Sequence, residues 1–139
     1  MEHITAVGPL LAGIARVLRP GGLLWATTPH ARGISARILG ASWSVVDPPS
    51  HLQLFSIRGL RKLLRRSGFD EVLIDAEGVN PQELLRRGRV TSRERIESGY
   101  ALNAFFEEHR GRRFVKRVLN RALAIVHLGD TLKVSARRA

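Results

Sequence analysis

Cysteine is missing altogether from these 139 residues. Its absence excludes disulfides, thiolate nucleophiles and cysteine-based zinc sites, and leaves the redox compartment unindicated. Long apolar runs are missing too: none approaches the roughly 20 residues that a bilayer-spanning helix needs. Met1-Glu2-His3 is not a charged n-region leading into an apolar h-region. The expectation is therefore a chain with no secretory signal and no transmembrane segment, cytoplasmic by default. Several catalytic signatures are equally absent: there is no Gly-x-Ser-x-Gly elbow, no P-loop and no H-E-x-x-H pair. The five histidines (His3, His30, His51, His109 and His127) show no metal-like spacing, so no metal site is expected.

Acidic residues are scarce beside basic ones, 12 against 23, for a formal net charge of +11. Such an excess suits contact with nucleic acid or an anionic membrane surface. Much of it lies between Arg86 and Arg121, mixed with Glu94, Glu97, Glu107 and Glu108. The plainer reading is solvated helix faces in an arginine-rich protein, and nucleic acid is not the favoured partner.

What is present reads as a single domain with a real core. Val7, Leu10, Leu11, Ile14, Val17 and Leu18 repeat at helical spacing, with Thr5 as candidate N-cap and Pro9 tolerated in the first turn. Pro20-Gly21-Gly22 ends that helix, and Leu23 to Thr28 follows as a short apolar run that suits a strand buried on both faces. Ile34, Ile38 and Leu39 fit one or two helical turns, and Asp47-Pro48-Pro49 forces an extended segment or turn. Ser56 is a good N-cap for a helix with Leu60, Leu63 and Leu64 inward, which Gly68 stops. Phe69 to Ala76 reads as a second strand, with Val72 and Ile74 on one face. Pro81 opens a short turn through Leu85. Ile96, Tyr100, Asn103 and Ala104 give a weak helical stripe. Phe114, Val118 and Ala122, with Val115, Leu119 and Leu123, give a strong one, opposite a solvated face of Lys116, Arg117, Asn120 and Arg121. Gly129-Asp130 turns the chain into a last strand, Thr131 to Ala136. The order of elements points to an α/β layered fold, with right-handed crossovers placing the first two strands in one sheet. Three strands make a thin sheet, and the first helix has no strand before it.

Two segments carry a family resemblance. Glu2-His3-Ile4, a helix, and then Ala15-Arg16-Val17-Leu18-Arg19-Pro20-Gly21-Gly22-Leu23-Leu24 resemble the stretch after the fourth strand of class I S-adenosylmethionine-dependent methyltransferases. Asp47-Pro48-Pro49-Ser50-His51-Leu52-Gln53-Leu54-Phe55-Ser56 resembles the D-P-P-x-H-x-x-x-F-[ST] segment of one subgroup, and Leu60 through Gly68-Phe69 its following helix. The resemblance covers residues 1 to 77 well and 129 to 137 weakly. It implies the C-terminal portion of a partial Rossmann-like methyltransferase fold: strands five to seven with flanking helices, the last strand antiparallel to its neighbours, and a helical insertion at about 80–127. The cofactor implied for the complete parent fold is S-adenosylmethionine. The family's glycine-rich loop and ribose-binding acid would lie before Met1, so an N-terminal partner half is implied as well. The expectation for the chain alone is poor solubility or self-association, and weak or no cofactor binding.

By the same resemblance, Glu2 and His3 would sit beside the cofactor, a frayed N-terminus being the alternative. His51 would face the acceptor as general base or as hydrogen-bond partner, the alternative being a histidine that caps local backbone. Trp43 and Phe55 would wall the acceptor pocket, core packing being the competing role for Phe55. The function implied is methyl transfer to an O, N or C nucleophile of a small-molecule acceptor. A non-catalytic basic module that binds RNA or an anionic surface stands against it, as does an inactive remnant.

Overall fold

The computed structural model describes residues 1–87 and 92–139. The side chains of Ile96, Asn103 and Glu107, on which parts of the sequence reading fall, lie outside the described residues. The first helix, α1, runs Val7–Val17 and buries Val7, Leu11 and Ala15, which repeat every four residues along one face. Its N-cap is Ala6 and not Thr5, with no side-chain hydrogen bond, because the helix starts one residue later than a threonine cap requires. The chain leaves through Gly21, whose φ of 72° is left-handed, and enters strand β1, Leu23–Pro29.

Helix α2 (Ile34–Leu39) runs into a single 3₁₀ turn at Gly40–Ser42. Helix α3 (Ile57–Arg66) is capped as its sequence predicts: the Ser56 hydroxyl accepts the Gly59 amide at 3.2 Å, and Gly68 follows with φ 91°. Leu60 and Leu64 are fully buried beneath it, each worth about 1.5–3 kcal/mol in burial. Strand β2 (Phe69–Glu77) carries a bulge between Asp70 and Leu73, where Glu71 takes φ 47°. The extra residue is why Phe69 and Val72, three apart, both reach the core together with Ile74 and Ala76.

Three helices follow: α4 (Pro81–Leu85), α5 (Ser92–Glu107) and α6 (Arg110–Ile125). Strand β3 (Thr131–Arg138) closes the chain and lies between the other two, antiparallel to both, in the order β1-β3-β2. The first two strands thus share one sheet and one direction, as expected, but β3 separates them. Its entry depends on Gly129: a Cβ there would stand 2.2 Å from the Glu77 amide nitrogen.

The core fills one face of the sheet. Val7, Leu11, Phe55, Leu60, Leu64 and Phe69 pack there with Val134 and the other inward residues of β2 and β3. The opposite face differs from the expectation that β1 is buried on both sides: Trp25 is 64% exposed and Leu73 67%, flanking Ser135 in one cross-strand row. No described residue covers Trp25 there. Helix α6 also turns the other way from its predicted orientation. Phe114, Val115, Val118 and Leu119 are exposed, and only Leu123 of that stripe is buried. The helix instead turns Asn120 and Ala124 toward β2, while Arg117 and Arg121 stay exposed at the rim of a cleft of about 340 Å³ that Asp75 and Glu77 also line. The Gly78 amide, which donates to Asn120 Oδ1 at 3.3 Å, favours this face over the apolar one.

Candidate functional site

The carboxyl ends of β1 and β2 and the start of β3 meet at one end of the sheet, and the polar groups gather there. The buried His30 imidazole donates through Nδ1 to the Gly129 carbonyl at 2.9 Å, and its amide donates to the Asp130 carbonyl at 2.8 Å. Asp130 in turn receives the Ser35 amide at 2.8 Å and hydroxyl at 2.6 Å, pinning the first turn of α2. Gly33 fits because the place of its missing Cβ lies 2.6 Å from Asp130 Oδ1. Burial pushes the His30 imidazole below its usual range. The Gly129 carbonyl opposes this, and the charges of Arg37, His127 and Arg32 reinforce it. None of these long-range contacts has a local sequence signature.

The N-terminal residues form the second part of this end. They are tied down and not frayed: the Leu52 amide donates to the Glu2 carbonyl at 2.8 Å, and the Gln53 side chain donates to the Ile4 carbonyl. The Glu2 carboxylate lies beside β1, where Oε2 accepts the buried Thr28 hydroxyl at 3.0 Å and the Met1 ammonium at 2.9 Å. Burial pushes this carboxyl up, toward the protonated form. The bonds from the ammonium, backbone and Thr28, with the ammonium's charge, outweigh it and hold Glu2 below the ordinary carboxylate range.

The fold brings His3 and His51 together with Glu2. The His3 Nδ1 donates to the Ser50 carbonyl at 2.7 Å, and its Nε2 faces Glu2 Oε1 at 3.6 Å. The His51 Nδ1 donates to the Val45 carbonyl at 2.6 Å, and the two rings lie 4.8 Å apart between centroids, inclined by 40°. His51 therefore does cap local backbone, through Nδ1, and it does so next to Pro48–Pro49, whose peptide is cis. Trp43 is 2% exposed and Phe55 belongs to the core, so both are buried and neither is open to an acceptor. The buried Glu83 was not singled out by sequence. It sits three residues after the Asn80 N-cap, where a capping box would turn it back on its own helix. It instead accepts the Ser44 amide at 2.7 Å.

Residues 1–74, more than half of the chain, match the model of a family described as a methyltransferase domain. The chain belongs to this methyltransferase-domain family. None of the curated protein sequences matches it. Among solved structures, it is similar to a SAM-dependent methyltransferase from Archaeoglobus fulgidus, with TM-score 0.54 and 17% identity. That match covers 99% of this chain and 55% of the archaeal one. A weaker likeness, TM-score 0.46 at 19% identity, is to phosphoethanolamine N-methyltransferase 2 of Haemonchus contortus in complex with S-adenosyl-L-methionine, over 99% of this chain and 31% of that one. The methyltransferase-domain chain thus spans about half the length of its archaeal neighbour. At this identity the archaeal likeness is one of fold: an α/β arrangement on a three-stranded antiparallel sheet.

Among the described residues, no helix is long and apolar enough to cross a membrane.

Proposed function

We propose that this chain supplies the acceptor-facing part of an S-adenosylmethionine-dependent methyltransferase, acting on an oxygen, nitrogen or carbon nucleophile of a small molecule. The carrying observation is the convergence of Glu2, His3 and His51 at the carboxyl end of β1, in a chain of the methyltransferase-domain family. That end of an open α/β sheet is where ligands bind. In this reading β1, β2 and β3 correspond to the fifth, sixth and seventh strands of the family, and residues 80–127 to a helical insertion.

The sulfonium of S-adenosylmethionine supplies the methyl group. Its cradle does not fit the described residues. The turn from β1 into α2 is closed, with Asp130 filling the place of a Gly33 side chain. Gly21-Gly22 follows a helix instead of opening one, and Gly22 is pressed against the Arg19 carbonyl. A separate segment, equivalent to the remaining length of the archaeal neighbour, would hold the cofactor beside Glu2 and His3. The His51 Nδ1 bond to Val45 leaves Nε2 as the acceptor nitrogen, suited to receive or orient a hydroxyl proton. Trp43 and Phe55, both buried, would fix the loop that forms the inner wall of the acceptor site.

Calorimetry on the chain alone, and on the chain expressed with the codons upstream of Met1, tests this reading. The expectation is no micromolar affinity for S-adenosylmethionine in the first case, and binding with methyl transfer in the second. His51→Ala should then lower kcat/KM by roughly 100-fold. Micromolar binding by the chain alone, or an unchanged rate in His51→Ala, would overturn the assignment.

The outward stripe of α6 supports a second reading. Phe114, Val118, Ala122 and Ile125 line an open groove of about 570 Å³ with Arg117 and Arg121 beside them. An apolar stripe rimmed by arginine suits the headgroup layer of an anionic membrane better than RNA, which calls for stacking aromatics. Co-sedimentation with phosphatidylserine vesicles that falls steeply with salt would support it, and recovery only in the supernatant would remove it.

A further inference from the structure

We propose that Glu2, His3 and His51 form a site for a borderline divalent metal ion, with Zn²⁺ the ion its donor set suits best. Among the described residues these three make up the one group of candidate ligands, and their ligating atoms all lie within 4.8 Å of one another. The inference rests on the proposed function for the role of the cluster and revises one part of it, since a His51 Nε2 that binds the ion no longer accepts a proton; its geometry needs neither cofactor nor acceptor.

The histidines are arranged as metal ligands are. A ligating imidazole almost always donates its other N–H to a carbonyl or carboxylate, which fixes tautomer and ring orientation. Both histidines do this, His3 to Ser50 and His51 to Val45. A carbonyl can only accept, so each Nδ1 carries the proton and each Nε2 can present a lone pair. The Glu2 carboxylate has the same kind of support: Thr28 and the Met1 ammonium occupy Oε2, and Oε1 is the oxygen that faces His3.

The separation between His3 and Glu2 argues in the same direction. At 3.6 Å, His3 Nε2 and Glu2 Oε1 are too far apart for a hydrogen bond. In a tetrahedral site with metal–ligand bonds of about 2.0–2.1 Å, neighbouring donors lie about 3.3 Å apart. The pair is near that spacing already, and the third donor, within 4.8 Å of both, must move closer on binding. Two imidazoles and one carboxylate supply the donors, and the Met1 ammonium on Glu2 Oε2 balances the charge of the carboxylate. Nitrogen donors with one carboxylate select zinc and its first-row neighbours over magnesium or calcium. Three protein ligands leave a coordination position open, which an acceptor oxygen could take.

The test is titration of the full chain, free of any histidine tag, with Zn²⁺ by calorimetry, and with Co²⁺ by visible absorption. One equivalent of Zn²⁺ should bind with micromolar affinity, raise the Tm, and be displaced by a chelator. Co²⁺ should show the intense ligand-field bands of a tetrahedral site. Glu2→Gln and His51→Ala should each weaken Zn²⁺ binding at least ~10-fold, the scale on which even the outer hydrogen-bond partners of a metal matter. Glu2→Gln keeps the side-chain shape and so remains readable if His51→Ala fails to fold. The double variant His109→Ala/His127→Ala should bind as the parent does. Absence of stoichiometric Zn²⁺ binding, loss that tracks His109 and His127, or tighter binding of Mg²⁺ than of Zn²⁺ would each overturn the site. The readout uses no methyl donor, so a failure of methyl transfer leaves the metal site standing, and a failure of metal binding leaves the transferase reading standing.

Discussion

The two faces of the sheet are written in different sequence styles. On the face under α1 and α3, β3 alternates strictly and β2 does so beyond its bulge, with Leu132, Val134 and Ala136 of β3 inward and Thr131, Lys133 and Arg137 outward. The outward residues settle in ion pairs across strands: Lys133 with Glu77 at 2.6 Å and Arg137 with Glu71 at 3.1 Å. Strand β1 alternates in exposure but not in polarity, and its outward face shows Leu23 and Trp25. A strand that alternates states which side is wet. An unbroken apolar strand states only that it was selected to be covered, and here the described residues cover it on one side.

The sharpest way to break this contrast is a pair of truncations. Leu64→Ala, beneath α3, should cost about 2–5 kcal/mol in urea denaturation. Leu73→Ala on the open face should stay within about 0.5 kcal/mol. Equal effects would mean that the open face is covered in solution. Acidification probes the knitted end of the sheet. His30 binds its proton less tightly in the fold than in the unfolded chain, whose value is near 6.5. Its contribution is therefore intact above that pH and is lost as pH falls toward the lower folded value. Urea midpoints measured across that window should drop, and should drop less in His30→Gln. Ser56→Ala, which removes the cap of α3, should cost about 1 kcal/mol. Trp25→Lys should leave the melting curve nearly unchanged while reducing concentration-dependent sedimentation, because β1 offers an apolar edge to a second molecule. Sedimentation of the parent as a monomer at all concentrations would count against that use of the edge.

The elements legible in sequence were those whose signals are local. Ser56, Gly68 and the leucines between them specify α3 without help from elsewhere, and Pro20-Gly21-Gly22 does the same for the passage from α1 to β1. The antiparallel setting of the last strand followed from the resemblance, because nothing in Thr131 to Ala136 states its direction. Where the reading went astray, a distant partner decided. The Phe114 stripe reads as a core face, yet the Gly78 amide, bonded to Asn120, holds the other side of α6 against the end of β2. The candidate site was half legible. Glu2, His3 and His51 could be named one by one, but their grouping spans 49 positions, and no spacing rule reaches that far. His30, Ser35 and Asp130 were not singled out as a network at all, since the links of His30 to Gly129 and Ser35 to Asp130 cross 99 and 95 positions.

Glu83 has a mechanical consequence. Its carboxylate holds the amide of Ser44, one residue after the buried Trp43, while the segment beginning there ends in the histidine whose ring lies on His3. Helix α4 thus acts as an anchor post for a tether that runs to the cluster. Any event that lifts α4, whether a contact on the arginine-rich helices or a cut between them and the sheet, slackens that tether and loosens His51 without touching it.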